Sequence, residues 1–125
     1  MSQPERPIPA GIDLADAQLR AYNRRDIDAF AACFHPNVRV IDEDGAVTME
    51  GIETFRERYG AMFAEHIIVA ASIVGRVALP PHVVELETWF RQKVRDGPVS
   101  SGQVIVRYTE RDGLLAVVEF LRPTA

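Results

Sequence analysis

Residues 25–45 read "RDIDAFAACFHPNVRVIDEDG", and this stretch contains a helix, a strand and a turn in close succession. Asp26 is a suitable N-cap, since its carboxylate can accept hydrogen bonds from the first turn of a helix. The apolar residues that follow have the i, i+3, i+4, i+7 spacing of an amphipathic helix: Ile27, Phe30, Ala31 and Phe34. Pro36 cannot continue such a helix. The spacing therefore predicts a helix over 27–35 and a strand over 38–42.

The strand runs into three acids, Asp42 to Asp44, before Gly45. Because side chains alternate along a strand, Asp42 is expected on the same face as Val38 and Val40, which points into the protein. Two interpretations stay open. Asp42 is either a carboxylate facing a cavity or a surface acid in the turn that closes the strand.

The flanking sequence extends this pattern on both sides. A helix is predicted before it, within "GIDLADAQLRAYNRRD", and a third helix after Gly51, at about 52–65. The second half changes to strand-like composition, with turn signals "LPPH", "RDGP" and "ERDG" between the runs. The predicted strands cover 67–79, 83–95, 99–110 and 114–122. Their short connections require antiparallel hairpins, so the sequence predicts an α+β domain with helices on one face of a curved sheet.

The strand over 83–95 has two distinct faces. One carries mostly apolar residues, among them Phe90, and we expect it to face the interior. The other carries charged residues, among them Glu87 and Arg91, and Trp89 lies between these two. We therefore expect Trp89 on the outer face of the sheet, in a subunit interface.

Composition limits the function classes. The 125 residues suit one domain, which we place at 11–125, after a flexible leader, residues 1–10, "MSQPERPIPA". The net charge of −4 does not favour nucleic acid as a partner, and no apolar run suggests a membrane span. The single cysteine and the dispersed histidines predict no metal site, and we expect no cofactor. A cytoplasmic location is the expectation.

The order of elements, and the stretch "AYNRRDIDAFAACFHPNVRVIDEDGAVTMEGIETFRERYGAMF" at 21–63, resemble the nuclear-transport-factor-2-like (NTF2-like) superfamily. Within it, the resemblance is to the SnoaL-like and ketosteroid-isomerase-like branch, and it covers about residues 12–122. It implies a cone-shaped half-barrel of a strongly curved, mostly antiparallel sheet wrapped around helices, with a pocket at the wide end. It also implies a homodimer through the outer sheet face. The fold alone does not define a function, since this superfamily contains both enzymes and binding modules.

The resemblance also suggests catalytic residues. Asp42 matches the position of the general base of ketosteroid isomerases, and burial beside apolar side chains would raise the basicity of such a carboxylate. Gln18 stands where those enzymes have an oxyanion-hole tyrosine, and a valine or isoleucine, Val104 or Ile105, stands where they have a protonated acid. Tyr22, one helical turn further on, is a possible substitute. True ketosteroid isomerase activity is therefore not expected, because the donors for a forming enolate are not matched.

Other candidate residues follow from the same resemblance. His66 ends the third predicted helix on its apolar stripe, and related dehydratases and cyclases use a pocket histidine as a proton carrier. The alternative, which the position favours, is a helix-terminal histidine bonded to backbone carbonyls. Asp42, Glu119 and either Arg91 or Arg107 supply the residue types of the Asp-Arg-Asp constellation of related epoxide hydrolases. However, both arginines are on the more polar faces of their strands, which favours solvent or a partner subunit, and the direction of Glu119 stays open. The residues expected to line the pocket are Gln18, Phe34, Val40, Phe55, Tyr59, Phe63, Phe90, Val104, Val106, Tyr108, Val118 and Phe120.

Two functions are consistent with these residues. One is an isomerase, dehydratase or cyclase that acts on a small apolar or carbonyl-containing molecule with Asp42 as base. The other is a non-catalytic ligand-binding or dimerisation module on the same fold.

Overall fold

The computed structural model describes residues 10–123, and of Ala10 it describes the backbone alone. The N-terminal leader expected over 1–10 lies almost wholly outside the described residues. Over the described residues the chain forms three helices: α1 (Ala10–Asn23), α2 (Ile27–Ala31) and α3 (Ile52–Glu65). No helix among the described residues is long and apolar enough to cross a membrane.

The strands form one six-stranded sheet in the order β2-β1-β6-β5-β4-β3. Their bounds are β1 (Phe34–Ile41), β2 (Val47–Glu50), β3 (Ile68–Leu79), β4 (His82–Gln92), β5 (Val99–Arg111) and β6 (Leu114–Leu121). Among the strands of the described part of the chain, β1 and β6 alone pair in parallel, and the other neighbours are antiparallel. Irregularities in four of the five ladders, including one between Ile73 and Gly75, bend the strands, as β-bulges do. The predicted α+β architecture with a curved, mostly antiparallel sheet is thus confirmed.

The core lies between the helices and the sheet face that they cover. Phe30 of α2 is only 2% exposed and lies at its centre. Five aromatic rings have centroids 5.0–5.9 Å from the Phe30 ring: Tyr22, Phe34, Phe55, Tyr59 and Phe63. These distances are typical of favourable aromatic pairs. This cluster fixes the helices against one another and forms the base of the site described below.

The helix predicted over 27–35 is shorter in the structure. Asp26 does cap α2, with its Oδ1 accepting from the Ala29 N–H at 3.1 Å. However, α2 ends at Ala31, and Phe34 already belongs to β1, where it is paired with Leu115 of β6. Pro36 lies in an irregular part of that ladder, where a missing N–H is tolerated. Pairing with β6 thus decides the conformation of residues that helical periodicity alone assigns to α2.

The first strand ends one residue earlier than predicted, and this changes the direction of Asp42. Val38 and Val40 are buried, as expected. The β1–β2 ladder then shifts register between Val40 and Ile41, where it is irregular. A bulge of this kind interrupts the alternation of side chains, so the parity of Val38 and Val40 does not extend to Asp42. The strand β2, which creates this ladder, was not predicted.

Candidate functional site

A half-open cavity of about 100 Å³ lies between the helices and the concave face of the sheet. Aromatic rings from α1, α2, α3, β1 and β6 form most of its wall, while β4 and β5 contribute polar groups. The lining residues are Gln18, Leu19, Tyr22, Phe30, Phe34, Phe55, Tyr59, Ala71, Glu87, Trp89, Arg91, Val104, Tyr108, Val118 and Phe120. An apolar pocket with a few polar groups is the usual form of a small-molecule site.

Strand β4 supplies the charged part of the wall. Glu85, Glu87, Trp89 and Arg91 occupy alternate positions of β4, and the last three line the cavity. This orientation corrects the predicted one: Trp89 lies inside, and Phe90, expected in the pocket, is 42% exposed on the opposite face. Apolar residues occupy both faces of β4, so its hydrophobic pattern could not identify the inner one. The inner face of β4 is the one that the helices cover. It lines a cavity as well as the core, so it can carry polar side chains.

Tyr22 and Arg91 form the first polar contact in the cavity. The Tyr22 hydroxyl accepts hydrogen bonds from Arg91 Nε at 3.2 Å and from Arg91 Nη2 at 2.8 Å. The Arg91 guanidinium also lies over the Trp89 ring, 5.1 Å from its centroid, as in cation–π pairs. Since both Arg91 groups donate to the Tyr22 oxygen, the hydroxyl proton of Tyr22 is left to donate elsewhere.

Glu87 is the second polar feature of the cavity and was not predicted as a site residue. It is only 9% exposed, although it carries a carboxyl group. Burial, together with the charge of Glu85, raises the pKa of Glu87 to about 7. A hydrogen bond from Tyr108 and the charge of Arg76 act in the opposite direction and limit the rise. The group is therefore close to half protonated at neutral pH, the condition in which a carboxyl exchanges protons in both directions.

Below Glu87 on the same strand face, Glu85 is completely buried. Its Oε2 accepts from Arg76 Nη2 at 3.1 Å, and the same Nη2 lies 2.7 Å from Oδ1 of Asp16. Glu85 Oε1 has no partner among the described residues. Burial raises the pKa of Glu85, and Arg76 opposes that rise. The ion pair thus keeps a negative charge near Glu87.

Two further tyrosines complete the polar part of the wall. Burial raises the pKa of Tyr59, and the charges of Tyr22 and Glu87 have smaller effects on it. Burial likewise raises the pKa of Tyr108 well above its ordinary value, and the charge of Glu87 adds to this. Both hydroxyls are therefore neutral donors at physiological pH.

The expected pocket residues fall into three groups. Those that line the cavity are Gln18, Phe34, Phe55, Tyr59, Val104, Tyr108, Val118 and Phe120, and Tyr22 joins them. Val40, Phe63 and Val106 are buried in the core and do not line it. Phe90 lies on the outer face. Whether the lining residues bind a ligand stays a prediction.

Asp42 and His66, both proposed as catalytic residues, do not line the cavity. Asp42 Oδ1 accepts the N–H groups of Asp44 and Ala46, each at 2.9 Å, and so closes the β1–β2 turn. His66 follows α3, and its Nδ1 lies 2.6 Å from the carbonyl oxygen of Met62. Bonding of this kind is the helix-terminal alternative for His66.

The Asp-Arg-Asp constellation is not assembled among these residues. Arg107 and Glu119 are directly opposite each other on β5 and β6 and form a two-pronged ion pair, at 3.3 Å and 2.8 Å. Neither lines the cavity, whereas Arg91 does. No group of three or more His, Cys, Asp or Glu side chains within 10–123 is arranged to hold a metal ion.

A solved structure similar to this one is an uncharacterised cystatin-fold protein from Novosphingobium aromaticivorans. The two are 24% identical, with a TM-score of 0.80 over 90% of this chain and 97% of the other. A hypothetical protein with a ketosteroid-isomerase-like fold from Catenulispora acidiphila is 14% identical, with a TM-score of 0.74 over 88% of this chain and 85% of the other.

A putative SnoaL-like polyketide cyclase from Jannaschia sp. CCS1 is also 14% identical, with a TM-score of 0.70 over 94% of this chain and 90% of the other. At these identities the comparisons show the fold, and they confirm the NTF2-like, ketosteroid-isomerase-like architecture.

Sequence comparison gives the family directly. None of the curated proteins matches this chain. A profile of the SnoaL-like domain, however, matches residues 15–118, which is most of the chain and includes every cavity-lining residue except Phe120. The chain therefore belongs to the SnoaL-like domain family.

Proposed function

We propose that this protein binds a small, largely apolar, oxygen-bearing organic compound in the cavity and transfers a proton on it, with Glu87 as the general acid–base. The observation that supports this most strongly is a carboxyl group with a pKa of about 7 in the wall of an aromatic cavity. Buried carboxyls with raised pKa values are concentrated at functional sites.

In the proposed reaction, the Glu87 carboxylate removes a proton from the carbon next to a substrate carbonyl. The electron pair of that C–H bond moves onto the carbonyl oxygen and gives an enolate. Tyr22 donates its hydroxyl proton in a hydrogen bond to this oxygen, and the Arg91 charge behind Tyr22 stabilises the developing anion. Donors fixed in advance in this way make a large contribution to catalysis.

The protonated Glu87 then completes the reaction. It returns the proton to another carbon, which is an isomerisation, or to a departing hydroxyl group, which is a dehydration. If the enolate carbon instead attacks the carbon of a second carbonyl group in the same molecule, a C–C bond closes a ring. The π electron pair of that carbonyl moves onto its oxygen, and Glu87 protonates the resulting alkoxide. The fold of a putative polyketide cyclase is consistent with the last of these reactions.

Glu87 replaces Asp42 as the proposed base for geometric reasons. A general base has to reach the proton that it removes, directly or through one water. Asp42 Oδ1 is engaged by two backbone N–H groups in a surface turn, whereas Glu87 lines the cavity.

The test is Glu87→Gln, which keeps the shape of the side chain and removes the acid–base function. Against a panel of enones, β-hydroxy ketones and polyketide-like aldol substrates, we expect kcat to fall by about 10²–10⁴-fold. The matched control, Asp42→Asn, should leave kcat unchanged. Turnover that survives Glu87→Gln, or that is lost in Asp42→Asn, would contradict the assignment. Ligand binding without turnover in the wild-type protein would favour the non-catalytic module.

A further inference from the structure

Arg91 is a cation in the cavity wall without a carboxylate partner among the described residues. Arg76, by comparison, contacts two carboxylates, and Arg107 is paired with Glu119. The contacts of Arg91 are the Tyr22 hydroxyl and the Trp89 ring, both of which are neutral. A partly buried charge usually has a partner of opposite sign, because removal from water is costly.

We propose that the ligand of this cavity is an organic acid, with its carboxylate paired to Arg91 and its flat apolar part packed against the aromatic wall. This rests on the proposed function, because it assigns the class of compound on which Glu87 acts.

The hydrogen bonds of Arg91 fit this assignment. Tyr22 occupies the edge of the guanidinium formed by Nε and Nη2. The other edge, formed by Nη1 and Nη2, still has N–H donors, and parallel donors of this kind match the two oxygens of a carboxylate. Trp89 and Tyr22 fix the guanidinium from two sides, so little side-chain freedom remains to be lost on binding.

Arg91 is the one cation among the cavity-lining residues that could pair with such an anion. Arg76 is already shared by Asp16 and Glu85, and it does not line the cavity. Glu87, the other charged group of the wall, is mostly protonated below about pH 7 and then does not repel an anion, whereas the proposed proton transfer uses the fraction that is ionised. The aromatic wall and the volume of about 100 Å³ favour a compound with one ring or a short conjugated chain.

The experiment compares acids with their neutral amides on the intact protein. Benzoate and trans-cinnamate are titrated beside benzamide and cinnamamide by isothermal titration calorimetry at pH 6.5. A charge-assisted contact predicts that each acid binds at least about tenfold more tightly than its amide. Equal affinity of acid and amide for the wild-type protein would overturn the proposal without the need for any variant.

Arg91→Gln then tests the residue itself. It should abolish the preference for the acid and change amide affinity by less than about twofold, whereas Arg107→Gln, outside the cavity, should leave both affinities unchanged. An acid preference that survives in a folded Arg91→Gln variant would refute the role of Arg91. If circular dichroism shows that this variant is unfolded, Arg91→Lys is measured instead. Lysine keeps the positive charge but lacks the paired N–H donors of the guanidinium. The affinity for the acid should therefore fall, while the acid still binds more tightly than its amide.

Failure of this inference is separable from failure of the proposed function. Glu87→Gln should keep the acid preference in binding while it loses turnover. An Arg91-dependent preference in a protein that turns over no substrate supports this inference and contradicts Glu87 catalysis. Glu87-dependent turnover of neutral compounds, bound as tightly as acids, contradicts this inference alone.

Discussion

The pKa of Glu87 makes the stability of the protein depend on pH, and Glu87→Gln should remove that dependence. The pKa rises from 4.5 to about 7 in the fold, because burial and the charge of Glu85 disfavour the carboxylate. The folded state therefore binds a proton more tightly than the unfolded state. The protonated carboxyl of Glu87 makes its full contribution to the free energy of unfolding below about pH 4.5, and this contribution is lost as pH rises through about 7.

The size of the effect follows from the same shift. Each pKa unit corresponds to about 1.4 kcal/mol, so ionising Glu87 in the fold costs about 3 kcal/mol above pH 7. Glutamine has nearly the same shape as a protonated glutamic acid and does not ionise. We therefore expect Glu87→Gln to have about wild-type stability at pH 4.5 and to exceed the wild-type free energy of unfolding by about 2–3 kcal/mol at pH 8.

The assay is urea unfolding followed by circular dichroism, for both proteins, at several values from pH 4.5 to pH 8. Glu57→Gln, an exposed residue of α3, is the control and should change the free energy of unfolding by less than about 0.5 kcal/mol throughout. A difference between Glu87→Gln and the wild type that is the same at every pH would show that the pKa of Glu87 is equal in the folded and unfolded states. The acid–base role proposed for it would then lose its basis.

Four other substitutions test separate parts of the structure. Glu85→Gln removes a negative charge beside Glu87 and should lower the pKa of Glu87, so the pH profile of kcat/KM should move to lower pH; an unmoved profile would exclude this coupling. Asp42→Ala removes two turn hydrogen bonds and should reduce the free energy of unfolding by about 1–2 kcal/mol in urea, with kcat unchanged. Phe30→Ala opens a cavity among five rings and should lower the free energy of unfolding in urea by about 3–5 kcal/mol. A decrease below about 1 kcal/mol would contradict the central position of Phe30 in the core. Phe90→Lys tests the homodimer through the outer sheet face that the family resemblance implies, and this variant should be monomeric in light scattering. A wild-type protein that is monomeric at high micromolar concentration would refute the dimer.

Local patterns in the sequence predict most elements of this fold. The helix predicted at about 52–65 coincides with α3, and the four later strands agree with their predicted bounds to within three residues. These elements have strong periodicity or clear turn signals at both ends, so the local sequence is sufficient to predict where they begin and end. The end of α2 and the strand β2 were missed, because each depends on a pairing partner that lies elsewhere in the chain.

The candidate site was predicted less well, for a related physical reason. Aromatic positions such as Phe55, Tyr59 and Tyr108 were identified because core and cavity walls use the same apolar residues. The assumption that buried faces are apolar assigned Glu87, Trp89 and Arg91 to the outside. The available signal was a tryptophan between two acidic and two basic residues on one strand face, which is unusual for a solvated face and typical of a polar cavity wall.

The charges of β4 suggest how this cavity can be both apolar and chemically active. Glu85 forms an ion pair with Arg76, which also contacts Asp16, so this fully buried carboxylate has a partner of opposite charge. That fixed negative charge, together with burial, raises the pKa of the next inward carboxyl, Glu87, into the neutral range. Arg91, further along the same face, is oriented by Tyr22 and Trp89 and has no carboxylate partner within 10–123. The inward face of β4 therefore carries a paired carboxylate, the proposed acid–base Glu87 and, beyond Trp89, a cation. A ligand that is both acidic and apolar would contact Glu87 and Arg91 together.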